Sequence, residues 1–152
     1  MPQNFRYIAL ICAALPEAKI IHVYRDPRAT CWSNYRHYFA GKGLGYSNNL
    51  EDITTYYVLY RDLMSYWQQF YSEQIYNLDY EMLTTGQDLE TRTLIRSLGL
   101  SWQEACLAPQ NNKRAIKTAS SQQVRQKIYK GSSKAWRKYE KYLGGTLDAV
   151  AE

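Results

Sequence analysis

The segment of residues 19–35, KIIHVYRDPRATCWSNY, constrains the fold more than any other part of the chain. An apolar run stops at Arg25, and Asp26 and Pro27 follow at once. Asp is a favoured N-cap and Pro is favoured at the first helical position, so a helix begins here. The apolar run predicts a strand over residues 18–24. Its apolar character on both faces favours a parallel sheet that is covered on both sides.

The rest of the chain reads mainly as helices, because apolar residues recur at three- and four-residue intervals. A second short strand is predicted at residues 74–80, QIYNLDY. The predicted helices are 4–15, 26–39, a long helix ending near residue 72, 88–98, a short helix after residue 101, 122–128 and 132–143. Asn4 caps the first of them, a capping box of Asn48 and Glu51 opens the long helix, and Ser101 with Glu104 caps the short one. Gly99 stops the helix 88–98.

The alternation of helices and strands predicts an α/β fold with a parallel sheet. However, only two strands are evident, and a two-stranded sheet covered on both faces is not a convincing independent domain. Either further strands are hidden in the sequence or the chain is part of a larger fold. In the second case we expect an exposed apolar edge, with a tendency to aggregate, where the absent strands belong.

Composition excludes several classes of protein. The chain has 152 residues, enough for one domain, and a net charge of +5, which favours an anionic partner. No apolar run approaches the roughly 20 residues that span a bilayer, and residues 7–15 lack the features of a secretory signal, so we predict a cytoplasmic location. Three scattered cysteines and two histidines form neither a disulfide framework nor a cluster with metal-ligand spacing.

Arg25 stands at the predicted carboxyl end of a strand, where ligands of open α/β sheets bind. The helix that follows attracts phosphate at its N-terminus, and a guanidinium can hold a phosphate with two hydrogen bonds. Ser33, about two turns into that helix, offers a hydroxyl on the same side. Together these residues predict a monophosphate site. The alternative is structural: Arg25 pairs with Asp26 or Glu81, and Ser33 is a solvated helix residue.

The run KIIHVYRDPRATCWSNY resembles the segment of PAPS-dependent sulfotransferases that binds the 3′-phosphate of the donor; PAPS is 3′-phosphoadenosine 5′-phosphosulfate. Three further runs resemble family segments in the expected order: MPQNFRYIALI, LDYEML and TASSQQVRQKIYKGSSKAWRKYEKYL. The likeness covers essentially the whole chain. It is closer to the tyrosylprotein sulfotransferase-like branch, which includes bacterial proteins with tetratricopeptide repeats upstream.

The resemblance implies a role for individual residues, all of them contacts to the cofactor PAPS. His37 stands where eukaryotic members have an arginine. The implied contacts are Arg25 and Ser33 on the 3′-phosphate, Tyr80 near the adenosine, Ser120 (or its neighbour Ser121) near the transferring sulfuryl group as a tentative catalytic residue, and Lys130 or Lys134 as a cation over the nucleotide.

The chain departs from the family pattern at its start. The family holds the 5′-phosphosulfate with a P-loop-like turn after its first strand, and residues 1–15 contain no such turn. The run GKGLG at 41–45 follows a helix and is predicted to be a loop. The carboxylate that acts as catalytic base also lies upstream of anything in this chain. We therefore predict that residues 1–152 are the C-terminal portion of a single sulfotransferase domain without its N-terminal P-loop half.

The predicted activity is transfer of a sulfuryl group from PAPS to an acceptor hydroxyl of a protein, peptide or small molecule, protein tyrosine among them, with no metal. The isolated chain is predicted to be inactive. Its predicted partners include neither nucleic acid nor membrane. Two alternatives remain: a non-catalytic partner module, and a basic helical module that binds nucleic acid through the run KAWRKYEKY, in which aromatic and basic residues alternate.

Overall fold

The computed structural model describes residues 3–39, 43–112 and 125–151 of the chain. Helices surround one small sheet. In chain order the elements are the 3₁₀ helix Asn4–Tyr7, α1 Ile8–Ala14, β1 Ile20–Tyr24, α2 Pro27–Arg36, the 3₁₀ helix Gly45–Asn48, α3 Leu50–Phe70, β2 Ile75–Asp79, α4 Tyr80–Thr85, α5 Gln87–Ser97, the 3₁₀ helices Glu104–Leu107 and Pro109–Asn111, the C-terminal helix Ser132–Tyr142 and the last helix Thr146–Val150.

The two strands pair in parallel, in a register that runs from Ile20 opposite Ile75 to Tyr24 opposite Asp79. Parallel neighbours need a long crossover connection, and α2 and α3 provide it. Both strands therefore end at the same edge of the sheet. The α/β class and both predicted strands are confirmed. Tyr80, which we had placed on the second strand, is instead the first residue of α4.

The prediction that β1 is covered on both sides is wrong. Ile20 packs against a buried cluster under α1 and α3. Ile21 and Val23 point to the opposite face, because side chains alternate along a strand, and they remain 42% and 53% exposed. Among the described strands β1 has only β2 as a partner. The expected exposed apolar edge is therefore present.

The predicted helix start after β1 is confirmed. The Asp26 carboxylate accepts a hydrogen bond of 2.7 Å from the Ala29 N–H, and Pro27 is the first helical residue. The cap of α3 lies one residue later than predicted. Asn49, not Asn48, accepts from the N–H groups of Glu51 and Asp52, at 2.7 and 3.1 Å. Asn49 has the extended backbone of a residue that precedes a helix, whereas Asn48 is the last residue of the 3₁₀ helix before it.

Two other predicted caps are absent. The first helical turn follows Gln3 rather than starting at a capping Asn4, and it is a 3₁₀ helix that makes no side-chain cap. Similarly, Gln103 rather than Ser101 precedes the short helix Glu104–Leu107. The stop at Gly99 is confirmed, because its backbone has φ of +70°, a conformation that glycine adopts without strain. Of the predicted helix 122–128, residues 122–124 lie outside the described residues, and the prediction is wrong for residues 126–128, which are not helical.

The longest helix, α3, has 21 residues and lies between two buried clusters. Ile53 and Met64 of its predicted apolar stripe are buried, whereas Phe70 at its end is 61% exposed. Charged residues occur in its first and its fourth turns. Neither α3 nor any other helix in the described ranges has the length and apolar character to cross a membrane.

The larger buried cluster joins the C-terminal helices to the crossover helices. Burial leaves the Cys31 side chain 0% exposed and raises the pKa of its thiol to about 12, so this cysteine is an inert core residue. The cluster consists of Ala29, Cys31, Trp32, Ile53, Trp136, Leu143, Leu147 and Val150. Since this cluster contains residues of α2, of α3 and of the two C-terminal helices, it holds the C-terminal segment against α2 and α3.

We predict that Asn49→Ala lowers the free energy of unfolding by about 1 kcal/mol, because two N–H groups at the start of α3 lose their acceptor. Urea denaturation followed by circular dichroism measures this. Asn48→Ala is the matched control and should change stability by less than about 0.5 kcal/mol. A larger effect at Asn48 than at Asn49 would contradict the observed cap.

Candidate functional site

A cleft of about 590 Å³ opens beyond the carboxyl ends of the two strands, beside α2. We call it the Arg25 cleft. It receives side chains from the β1–α2 junction, from the start of α4 and from the segment before the C-terminal helix. Its lining consists of Arg25, Ala29, Trp32, Ser33, Asn34, Arg36, His37, Phe39, Tyr80, Tyr129, Lys130, Gly131, Ser132 and Ala135.

Most residues that the sequence predicted for the site lie together here. The Arg25 cleft is lined by Arg25, Ser33, Tyr80 and Lys130, although the first and the last of these residues are 105 positions apart in the chain. Of the two candidate lysines, Lys130 lies in the lining and Lys134 does not. Ser120 and Ser121 lie outside the described residues. The cofactor contacts assigned to these side chains stay predictions.

Helix α2 supplies one wall of the Arg25 cleft because four of its residues share one face. Ala29, Trp32, Ser33 and Arg36 follow the i, i+3, i+4, i+7 spacing that aligns side chains along a helix. The Arg36 guanidinium lies 5.9 Å from the centre of the Trp32 ring. Helix geometry alone therefore brings the predicted Ser33 hydroxyl and a second arginine to the cleft.

The guanidinium of Arg25 is fixed by two contacts that leave most of its N–H groups available. Its Cζ lies 5.1 Å from the centre of the Tyr80 ring. Its Nε donates a hydrogen bond of 2.9 Å to the Ser133 Oγ. Arg25 takes part in no ion pair with the carboxylates of the described residues.

The direct pair between Arg25 and Asp26 or Glu81 is therefore absent from the described residues, whereas Ser33, the other half of the structural alternative, is an exposed helix residue. The Asp26 carboxylate caps α2. The Glu81 carboxylate accepts hydrogen bonds from the Ser133 hydroxyl and, at 3.4 Å, from the Asp26 N–H. The arginine and the glutamate meet only through the hydroxyl of Ser133.

The segment before the C-terminal helix forms the second wall. Gly131 has φ of +89°, which glycine tolerates and other residues rarely adopt, and this turn sets Lys130 and Ser132 beside the cleft. The Ser132 Oγ and the Tyr80 hydroxyl share a hydrogen bond of 3.0 Å. Behind this wall, Trp136 is buried and Tyr139 packs on Trp32, with ring centres 4.8 Å apart.

The Arg25 cleft is electropositive. Three cationic side chains line it, Arg25, Arg36 and Lys130, and no aspartate or glutamate occurs in its described lining. Paired guanidinium and ammonium groups in a concave site favour ligands with concentrated negative charge, such as phosphate esters. The geometry therefore suits an anion that is larger than a single phosphate and has an aromatic or apolar part.

Sequence reasoning did not identify some of the residues that form the site. Arg36 could have been found, since it lies three residues beyond Ser33 on the same helix face. Ser132 and Ser133 could not be assigned, because only the tertiary packing of the C-terminal helix brings them to the strand ends. His37, which we noted only as a substitution, also lies in the lining.

His22 lies outside the Arg25 cleft, in a second cavity of about 600 Å³ between β1 and α3. Its Nδ1 is 2.7 Å from the Asn77 Oδ1, and its Nε2 is hydrogen-bonded to the Tyr60 hydroxyl. The amide oxygen only accepts, so Nδ1 carries a proton, and in the neutral imidazole the Tyr60 hydroxyl donates to Nε2. The imidazole is thus engaged at both nitrogens.

The basic run of the C-terminal helix bears on the nucleic-acid alternative. Lys134, Arg137, Lys138 and Lys141 are exposed, but Trp136 between them is only 5% exposed and packs in the core. A buried indole is not available to stack on a base. The other two aromatic residues of the run, Tyr139 and Tyr142, are 44% and 73% exposed, so burial withdraws only the indole from solvent.

The fold and the cleft together define an α/β protein with an electropositive cleft at the carboxyl ends of its parallel strands. Comparison with known sequences is more specific. Residues 1–104 match the sulfotransferase family, and the chain belongs to that family. Its helix-rich architecture with a two-stranded parallel sheet is a partial form of the α/β, P-loop-like sulfotransferase fold.

A relative from Aquifex aeolicus (strain VF5), itself described as an uncharacterized protein, is 37% identical over 154 aligned residues. The alignment covers 100% of this chain and 20% of the relative. The chain thus spans about a fifth of the length of this curated relative.

We predict that Lys130→Ala weakens binding of inorganic pyrophosphate roughly tenfold, because one charge-assisted contact at the cleft is lost. The shift of the thermal midpoint with pyrophosphate concentration, at low ionic strength, measures the affinity. Lys134→Ala removes the same charge four residues away, outside the cleft, and should leave the affinity within about twofold. Equal losses in the two variants would mean that only general positive charge attracts the anion.

Proposed function

We propose that the Arg25 cleft binds the 3′-phosphoadenosine part of PAPS, and that this chain is the nucleotide-binding part of a sulfotransferase domain. The observation that supports this most is the shared lining: Arg25, Ser33, Tyr80 and Lys130, chosen from the sequence, surround one electropositive cleft. Its volume of about 590 Å³ is of the size that binds nucleotide-like molecules. Cations, hydroxyls and an aromatic ring fit the chemistry of a phosphoadenosine.

In this proposal each side chain has a separate task. Arg25 and Ser33 bind the ribose 3′-phosphate, Lys130 adds a cation, and Tyr80 lies near the adenosine. Ser120 or Ser121 lies near the sulfuryl group. When bound, PAPS supplies an activated sulfuryl group. A new S–O bond to the acceptor oxygen forms as the S–O bond to the 5′-phosphate breaks, and the acceptor proton passes to a base.

The base and the cradle for the 5′-phosphosulfate belong, in this proposal, to a part of the domain upstream of residue 1. His22 does not replace the base, since both its ring nitrogens are engaged. We further propose that the acceptor is a hydroxyl of a protein, peptide or small molecule, with protein tyrosine as the first candidate. We also propose that the protein belongs to the tyrosylprotein sulfotransferase-like branch, that tetratricopeptide repeats lie upstream in the full-length protein, and that its location is cytoplasmic.

The first test is binding of adenosine 3′,5′-bisphosphate, measured by isothermal titration calorimetry. Arg25→Ala should weaken binding at least tenfold, because the phosphate loses its bidentate partner. Arg96→Ala, at the exposed end of α5, is the matched control and should leave the affinity unchanged. Equal affinity of wild type and Arg25→Ala would reject the assigned site.

The second test concerns activity. The 152-residue chain, incubated with radiolabelled PAPS and a tyrosine-containing peptide, is expected to transfer no sulfate above the rate without protein. The reason is that, in this proposal, another part of the domain supplies the cradle and the base. Transfer by this chain that Arg25→Ala abolishes would show that all the required groups are present in residues 1–152.

A further inference from the structure

We propose that Glu81 is a positioning residue for Arg25 and that it acts through the hydroxyl of Ser133. This inference rests on the proposed function, because it assigns Arg25 to the 3′-phosphate. It adds two residues to which the family resemblance assigned no role, one from α4 and one from the C-terminal helix. Neither is among the residues that line the Arg25 cleft, so neither is proposed to contact the nucleotide.

The hydrogen bonds between the three residues have one consistent direction. The Arg25 Nε can only donate, so the Ser133 Oγ accepts at 2.9 Å. A carboxylate can only accept, so the Ser133 hydroxyl gives its single proton to Glu81. Glu81 thereby fixes the hydroxyl rotor, and the lone pairs of the oxygen remain directed at Arg25. A serine without this glutamate would be free to turn its proton toward the arginine.

The same contacts orient the guanidinium. The hydrogen bond from Nε to Ser133 and the position of the guanidinium 5.1 Å from the Tyr80 ring centre restrict rotation of the long Arg25 side chain. The two terminal nitrogens carry the remaining N–H groups and stay available for a phosphate. A pre-oriented guanidinium loses less conformational entropy when it binds, so affinity for the 3′-phosphate increases.

Glu81 also connects three parts of the chain. Its second oxygen accepts from the Asp26 N–H at 3.4 Å, at the start of α2. The neighbouring residue, Tyr80, bonds to Ser132, which is the neighbour of Ser133. Two adjacent residues of α4 thus hold two adjacent serines, and this pair of bonds fixes the cleft wall that contains Lys130 and Gly131.

Electrostatics alone predicts the opposite effect of removing Glu81. A carboxylate near an anion site repels the anion, so its loss should strengthen phosphate binding if charge were its only influence. Positioning predicts weaker binding instead. The sign of the change therefore separates the two roles.

The experiment compares adenosine 3′,5′-bisphosphate with adenosine 5′-monophosphate, which lacks the 3′-phosphate, by calorimetry. The dissociation constant of the monophosphate divided by that of the bisphosphate measures recognition of the 3′-phosphate; we call this quotient the ratio. We expect Ser133→Ala and Glu81→Ala each to lower the ratio about tenfold, with little change in the affinity for the monophosphate. The double variant should lose about as much as either single one, because the two residues act in series. Ser133→Thr, which keeps the hydroxyl, should restore the ratio.

Asp88→Asn is the control for loss of one negative charge, since that carboxylate pairs with Arg92 on the surface of α5. Three results would overturn the inference while leaving the proposed site intact: an unchanged ratio in Ser133→Ala and Glu81→Ala, a higher ratio in Glu81→Ala, or an equal loss of affinity for both nucleotides. By contrast, a wild-type chain that does not prefer the bisphosphate would reject the proposed function itself. Ser133→Ala, the smaller change, decides the matter if Glu81→Ala does not fold.

Discussion

The parallel register of β1 and β2 is the constraint on which the site depends. Because Tyr24 lies opposite Asp79, the next residue of each strand, Arg25 and Tyr80, leaves the sheet at the same edge. The cation and the ring meet there at 5.1 Å. A slip of one residue in this pairing would turn every side chain of one strand to the other face and would separate the two groups. Apolar packing of Ile20 and Ile75 beneath α3 opposes that slip.

Docking of the C-terminal helix depends on α2 in turn. Trp136 packs in the same cluster as Trp32, and Arg28 lies over the Trp136 ring at 5.2 Å while it pairs with Asp148 at 2.9 Å. This packing sets the segment 129–133 against the strand ends. The cleft wall is therefore positioned by core contacts of α2, and Trp32 belongs both to the cleft lining and to the buried cluster.

Much of this arrangement could be predicted from the sequence, because it is encoded locally. The strand before Arg25, the helix start at Asp26 and the face shared by Ser33 depend on neighbours within a turn or two. The cap at Asn49 was missed by one residue, since two consecutive asparagines offer the same chemistry. The open face of β1 and the contacts of Ser132 and Ser133 depend on tertiary packing, for which a single sequence gives no local pattern.

The long separation between contacting segments has a consequence for how the molecule folds. The two strands meet across 55 positions, and Arg25 reaches Ser133 across 108. Closing such loops costs chain entropy before any contact repays it, so these contacts form slowly compared with the helices. The helices can thus be present while the binding site is still open. If the proposed nucleotide contacts all three segments, its binding stabilises the closed chain and couples the completion of folding to the ligand.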